Sequence, residues 1–433
     1  MDDFSPFIRR RQRVLEQIGQ GVMVVFAAGH TIRNNDVTHE FRQDSDFYYL
    51  TGFDEPDAVL VLAGGESPSS VLFVNPRDPE REVWDGGRLG IEGAKGLGFA
   101  EAFPIHELDE RLPRLFADQA NLFCKFGSEP LIDPRVSRAL GVARDRARRG
   151  LSSPARLIDL ATIVHEHRRT KDPAEIDLLQ RAVDITCEAH LTAMAEARPG
   201  LHEYEIEALL RGVFKSRGSE RVAYEPIVGS GTNATVLHYV RNRRRLCDGD
   251  LILIDAGCEY GYYAADVTRT FPVSGRFSRP QRDVYDVVLA AQREGIAQAR
   301  PGATLEAVHQ AVTRVICEGL LKLGVLHGSV EQAEAEGSYK RFFMHKTSHY
   351  LGMDVHDVGS YFERGKARPL EPGVVITVEP GLYFGPDAAD VDAKYRGIGI
   401  RIEDDVLIEP SGARVLSGGV PKEADEVELA CAS

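Results

Sequence analysis

The chain has 433 residues, too many for one ordinary core, so two domains are expected. Hydrophobic residues make up 43% and charged residues 27%, which argues against wholesale disorder. Lys plus Arg is 52 against 66 Asp plus Glu, and the resulting formal charge of −14 suits no nucleic-acid partner.

Met1–Arg11 is acidic and then basic, without the apolar stretch of a signal peptide. Gly21–Gly29 is far too short to span a bilayer, so no membrane partner is expected. Val22–Ala27, Phe47–Leu50, Ala58–Leu62, Val71–Val74 and Leu122–Phe126 are short apolar runs bounded by Gly, Pro and Asp, and each reads as a strand. A polar helix is expected around Arg135–Arg149. At Asp172-Pro173-Ala174-Glu175 a helix begins: Asp caps, Pro takes the first position and Glu completes a capping box. The domain boundary is placed just before it, which gives an α/β domain over residues 1–170 and a second domain over 171–433. The six cysteines form no CxxC pair, as expected of reduced thiols in a cytoplasmic protein.

The second domain contains a repeat. Ala197-Arg198-Pro199-Gly200 recurs as Ala299-Arg300-Pro301-Gly302, each time between two amphipathic helices. Gly249–Asp255 matches Gly373–Glu379 at an offset of 124, and Gly257 and Gly261 pair with Gly381 and Gly385 at the same offset. Each half thus reads as two helices, an apolar strand ending in a carboxylate, and a returning strand with another carboxylate. These are Asp255 and Asp266 in the first half, and Glu379 and Glu403 in the second.

Four carboxylates brought together cannot all stay ionised without strong positive charge, which two divalent cations would supply. Oxygen-rich ligands with one imidazole suit Mn²⁺ best, with Co²⁺, Fe²⁺ or Zn²⁺ as alternatives. The imidazole could come from His345, His349 or His356 in Phe343–Asp357, or from His238 beside the Gly229-Ser230-Gly231 turn. No GxSxG, HExxH, GxxxxGK[ST] or GxGxxG pattern is present.

Five stretches carry a family resemblance: IVGSGTNATVLHY (Ile227–Tyr239), DGDLILIDAGCEYGYYAADVTRTFPV (Asp248–Val273), FFMHKTSHYLGMDVHDVGSY (Phe342–Tyr361), LEPGVVITVEPGLY (Leu370–Tyr383) and YRGIGIRIEDDVLI (Tyr395–Ile408). With FRQDSDFYYLTGFDEPDAVL (Phe41–Leu60), they make the chain resemble the proline-specific pita-bread metallopeptidases, in particular the Xaa-Pro aminopeptidase (aminopeptidase P) family. The resemblance implies an α+β pita-bread catalytic domain with a pseudo-twofold internal duplication. It implies two metal ions per subunit on Asp255, Asp266, His349, Glu379 and Glu403. His238 and His356 would line the substrate site and His345 would assist. Tyr224, Tyr361 and Arg401 would stand around the pocket, and Trp84 would reach a neighbouring subunit's active site in a dimer or tetramer. Phe362–Pro369 and the Glu225-Pro226 pair depart from the family pattern.

The implied reaction is hydrolysis of the bond before a proline at position two. That bond is a tertiary amide with no N–H for an ordinary protease to dock on. Glu379 would act as general base, His356 would donate to the oxyanion, His238 would meet the proline-side carbonyl, and Asp255 would hold the free amine. A dipeptidase of the prolidase type would use many of the same motifs, and a non-catalytic interaction protein could share the fold. The other candidates have simpler readings. Arg241–Arg245 reads as a solvated loop at the edge of the substrate channel, Cys258 as a core thiol, and His202 and His309 as partly exposed helix positions.

Overall fold

The structure is a computed structural model that describes residues 4–127, 132–145 and 150–432. The chain divides into two compact units, Met1–Arg168 and Arg169–Ser433.

The first unit is built on a six-stranded sheet. Its strands are β1 (Gly21–Phe26), β2 (Val59–Ala63), β3 (Ser69–Val74), β4 (Glu101–Pro104), β5 (Asn121–Cys124) and β6 (Arg156–Asp159). Their order is β4-β3-β2-β1-β5-β6, with β1, β5 and β6 mutually parallel and β2 antiparallel to both its neighbours. The central strands are apolar at every position because both faces are covered. On one face Val22, Val24, Val59, Val61, Phe73 and Leu122 pack with Leu108, Leu112, Phe116 and Leu140. Helix α1 (Ser5–Ile18) precedes the sheet, and α2 (Pro79–Asp85), which carries Trp84, follows β3.

One expected strand is a helix. Phe47–Leu50 lies within Ser45–Thr51, where the Asp44 side chain accepts from the Phe47 N–H and Gly52 ends the helix in a left-handed conformation. Four consecutive apolar residues fit a strand or a buried helix equally well, and the cap decides. The polar helix spans Ile132–Asp145, and the rest of the expected Arg135–Arg149 segment, residues 146–149, lies outside the described residues.

The second unit shows the repeat. Its first half has α3 (Pro173–Glu196), α4 (Glu203–Ser216) and an antiparallel sheet of β7 (Ile227–Ser230), β8 (Leu251–Ala256) and β9 (Val267–Pro272), in that order. The capping box at α3 forms as expected: the Asp172 side chain accepts from Glu175 N–H, and Glu175 from Asp172 N–H, both at 3.0 Å. The second half has α5 (Arg279–Gln298), α6 (Leu305–Lys322) and strands β10 (Val375–Val378), β11 (Gly381–Tyr383), β12 (Gly399–Arg401), β13 (Asp404–Glu409) and β14 (Gly412–Val415). β10, β13 and β14 form one antiparallel sheet, and β11 pairs with β12. The expected single strand around Glu403 is therefore two, with Ile402 and Glu403 at the break.

One repeated pair of glycines has a common cause. A Cβ on Gly257 would lie 1.7 Å from the Ala265 carbonyl oxygen, and one on Gly381 would lie 2.9 Å from that of Ile400. In each half the chain returns so close to the glycine that no side chain fits. The halves are joined by hydrogen bonds from Glu403 N–H to Thr268 O (3.1 Å) and from the Thr270 hydroxyl to Arg401 O (3.0 Å).

Candidate metal centre

Asp255 sits near the end of β8, opposite Thr268 of β9. Asp266 immediately precedes β9, and Glu379 and Glu403 stand just beyond the paired ends of β10 and β13. The pairing of antiparallel strands thus delivers all four carboxylates to one place. Asp266, His349 and Glu403 each present one donor atom, all within 4.8 Å of one another. His349 Nε2 is 3.3 Å from Asp266 and 3.5 Å from Glu379. Its Nδ1–H donates to Tyr350 O at 3.0 Å, which fixes the tautomer that leaves Nε2 free to ligate. The Tyr224 hydroxyl lies 2.5 Å from both Asp255 and Asp266 and joins them to the cluster.

The electrostatics show what this donor set lacks. Burial, reinforced by neighbouring carboxylates, holds Asp255, Glu379 and Glu403 above their ordinary values. For Glu403 the opposing Arg401 charge is too small to reverse this. Burial alone would lower His349, but the hydrogen bond and charge of Asp266, with Glu379, outweigh it and raise the imidazole to about 9. Buried carboxylates that repel one another in this way are a cradle for added positive charge. The residues present fit divalent cations.

Around this cluster Arg401 is a brace. It is 3% exposed and donates to Asp255 (2.5 Å), the Tyr383 hydroxyl (2.9 Å) and the Thr268 hydroxyl (3.1 Å). Thr268 in turn donates to Glu403 at 2.6 Å. His345 accompanies the site, with Nε2 3.0 Å from the Tyr383 hydroxyl and Nδ1 3.7 Å from Glu379. Burial, with the Arg401 charge adding, lowers its pKa to about 3. His356 stands edge-on to His349, ring centroids 4.4 Å apart, and burial followed by the His349 charge lowers it. His238 is exposed, and its charge bears on both His345 and His356. Tyr361, 38% exposed, stacks on Tyr350 at 4.6 Å. Trp84 belongs to the first unit and is 87% exposed.

Three contributors were not expected from the sequence. Tyr383 links His345 to Arg401, and Thr268 links Arg401 to Glu403. The buried pair of Lys171 with Asp357, at 2.8 Å, anchors the residue after His356. Only their places within the quoted stretches or beside the α3 cap marked them. His309 is partly exposed, as its helix position led one to expect, with Nδ1 2.8 Å from the Thr347 hydroxyl, and partial burial lowers it to about 4.

Residues 177–410 match the model of metallopeptidase family M24, and residues 7–123 match the aminopeptidase P N-terminal domain. The chain belongs to metallopeptidase family M24. Among its M24 relatives, the Xaa-Pro aminopeptidase of Escherichia coli (strain K12) is 45% identical over 426 residues, covering 98% of this chain and 96% of the relative. The Xaa-Pro aminopeptidase of Haemophilus influenzae is 42% identical over 425 residues, covering 98% and 96%. Among solved M24 structures, Pseudomonas aeruginosa aminopeptidase PepP superposes with a TM-score of 0.97 at 45% identity, covering 100% of this chain and 98% of that one. The fold is thus that of aminopeptidase P, an N-terminal domain followed by a pita-bread catalytic domain, as the sequence led one to expect.

Proposed function

We propose that this chain hydrolyses the peptide bond between an N-terminal residue and a following proline, releasing the first amino acid. The observation that carries the reading is the complete set of Asp255, Asp266, His349, Glu379 and Glu403, in a chain similar over almost its whole length to Xaa-Pro aminopeptidases. Those five residues would hold two divalent ions, with Mn²⁺ the best match to four carboxylates and one imidazole. Bound there, the ions supply a lowered water pKa and a polarised scissile carbonyl.

The chain's own residues do the rest. Glu379 accepts the proton of the attacking water and returns it to the departing proline nitrogen. His356 donates to the oxyanion as it develops, and His238 to the carbonyl on the proline side. His345, oriented by Tyr383, assists from the site wall. Asp255 holds the free amine of the substrate, while Arg401 fixes Asp255 from behind. Tyr224 keeps Asp255 and Asp266 together, and Tyr361 borders the pocket.

The exposed pair Val83 and Trp84 on α2 supports a homo-oligomer, a dimer or tetramer, in which Trp84 meets a neighbour's site. On dilution, activity and light scattering should fall together, and Trp84→Ala should change kinetics without changing metal content. An active, strictly monomeric protein rejects that assembly. Free thiols at all six cysteines suit the cytoplasm. No helix among the described residues is long and apolar enough to cross a membrane.

The activity is tested by assaying one Xaa-Pro dipeptide, its Xaa-Pro-Yaa extension and the alanine analogue side by side with Mn²⁺. The extended peptide should have the higher kcat/KM, and exchanging proline for alanine should cost about tenfold or more. Cleavage of the dipeptide alone would assign the protein to the dipeptidases instead.

A further inference from the structure

His238 is carried by a long loop between β7 and β8 that has no strand of its own, so something else must fix it. Asn242 ties the far end of the loop to Val228, Pro226 and Glu207, and a second group serves the stretch around His238. Glu203, the first residue of α4, is 0% exposed. Its Oε1 accepts from Ser230 N–H (2.7 Å), the Ser230 hydroxyl (2.8 Å) and the Asn233 amide (3.0 Å). Its Oε2 accepts from the Tyr239 hydroxyl (2.8 Å) and Arg244 N–H (2.7 Å). The donors at 230, 233, 239 and 244 flank His238 on both sides. A carboxylate beginning a helix ordinarily serves that helix's own N–H groups. Here those five donors come from the last residue of β7 and from the loop that follows it, and the capping box of α4 is formed by Glu205 instead. Only an ionised carboxylate offers acceptor sites for so many donors and no donor of its own. Arg244 closes the ring by donating to the Ser230 hydroxyl (2.8 Å) while pairing with Asp250.

We propose that Glu203 is the positioning residue for His238: its buried carboxylate gathers the loop of residues 230–244 and holds the imidazole where the substrate passes. The catalytic part of this statement rests on the reading that His238 contacts substrate. The placement of the loop stands apart from it.

The loop contains a built-in reporter, since Arg241 and Arg243 are exposed sites for trypsin. Glu203→Gln sets an amide N–H₂ against donors at one of its two positions. In the metal-loaded full chain it should speed tryptic cleavage within 241–245 and lower kcat/KM on an Xaa-Pro-Yaa peptide, each by about tenfold. Metal content should match wild type, because Glu203 is no ligand. Tyr239→Phe removes one donor of five, keeps the carboxylate satisfied and should give a smaller change of the same kind. The double variant Glu203→Gln with His238→Ala should be no slower than His238→Ala alone. Wild-type cleavage rates in both single variants, or losses that multiply in the double variant, would overturn the proposal. If His238→Ala is itself as active as wild type while Glu203→Gln still loosens the loop, Glu203 keeps its positioning role and the substrate contact of His238 is what fails.

Discussion

In the first half of the catalytic unit the two carboxylates are aspartates, Asp255 and Asp266, on a tight return; in the second they are glutamates, Glu379 and Glu403, separated by a longer excursion through β11 and β12. The supports of these carboxylates cross between the halves. Asp255 is held by Arg401 of the second half, and Asp266 N–H donates to Asp405 of the second half at 3.1 Å. Glu403 is held by Thr268 of the first. Within the first half Tyr224 ties Asp255 to Asp266, but these other braces cross, so the complete site forms only once both sheets have docked. The first helices differ in a similar way. His190 on α3 and Gln292 on α5 each stand seven residues before the repeated Ala-Arg-Pro-Gly. Each is fully buried: His190 Nε2 lies 3.2 Å from Ala256 O, and the Gln292 amide donates to Asp404 at 2.6 Å. The duplication kept the position and changed whether it titrates.

Removing one carboxylate from either half should have the largest effect. Asp266→Ala and Glu403→Ala should each lose metal and activity together, with kcat/KM down about a thousandfold or more. Elemental analysis beside the assay separates this from a purely kinetic defect. His356→Ala leaves the donor set whole, so metal should stay while kcat falls by about 10²–10³. An unchanged kcat with a raised KM would move His356 to ground-state binding. Cutting one cross-brace is milder. Arg401→Lys and Thr268→Val should each cost about 10–100-fold in metal affinity, read by competition with a chelator. Equal affinity to wild type would mean each half orients its own donors.

The smallest effect is expected at His190, the counterpart of Gln292. Burial, only partly offset by the bond to Ala256, lowers His190 to about 4, against about 6.5 in the unfolded chain. The neutral ring therefore contributes stability that is full above pH 6.5 and is lost as pH falls toward 4. The loss is on the order of 3 kcal/mol. His190→Gln, which makes the two halves alike, should flatten this part of the acid dependence in thermal unfolding. A parallel dependence in both proteins would show that His190 takes no part.

Much of this arrangement was readable in the chain because duplication doubles the signal. The repeated strand placed Asp255 and Glu379, and one repeated pair, Gly257 and Gly381, marked the close returns. Residues whose role depends on partners outside their own strand were the harder ones. Thr268, Tyr383 and the Lys171–Asp357 pair have ordinary residue types; Thr268 and Lys171 find their partners far away in sequence, and Tyr383 on a neighbouring strand. Phe47–Leu50 failed for the opposite reason: a local apolar run fits two conformations, and a single capping aspartate chose between them.

The claim that two halves build one two-ion site is tested most directly by stoichiometry. Apo-protein should be titrated with Mn²⁺ and its bound metal and peptidase activity followed together. Activity should rise to its full value as occupancy reaches about two ions per chain, and Glu403→Ala should stay well short of that occupancy. Full activity with a single ion, or with none, would contradict it.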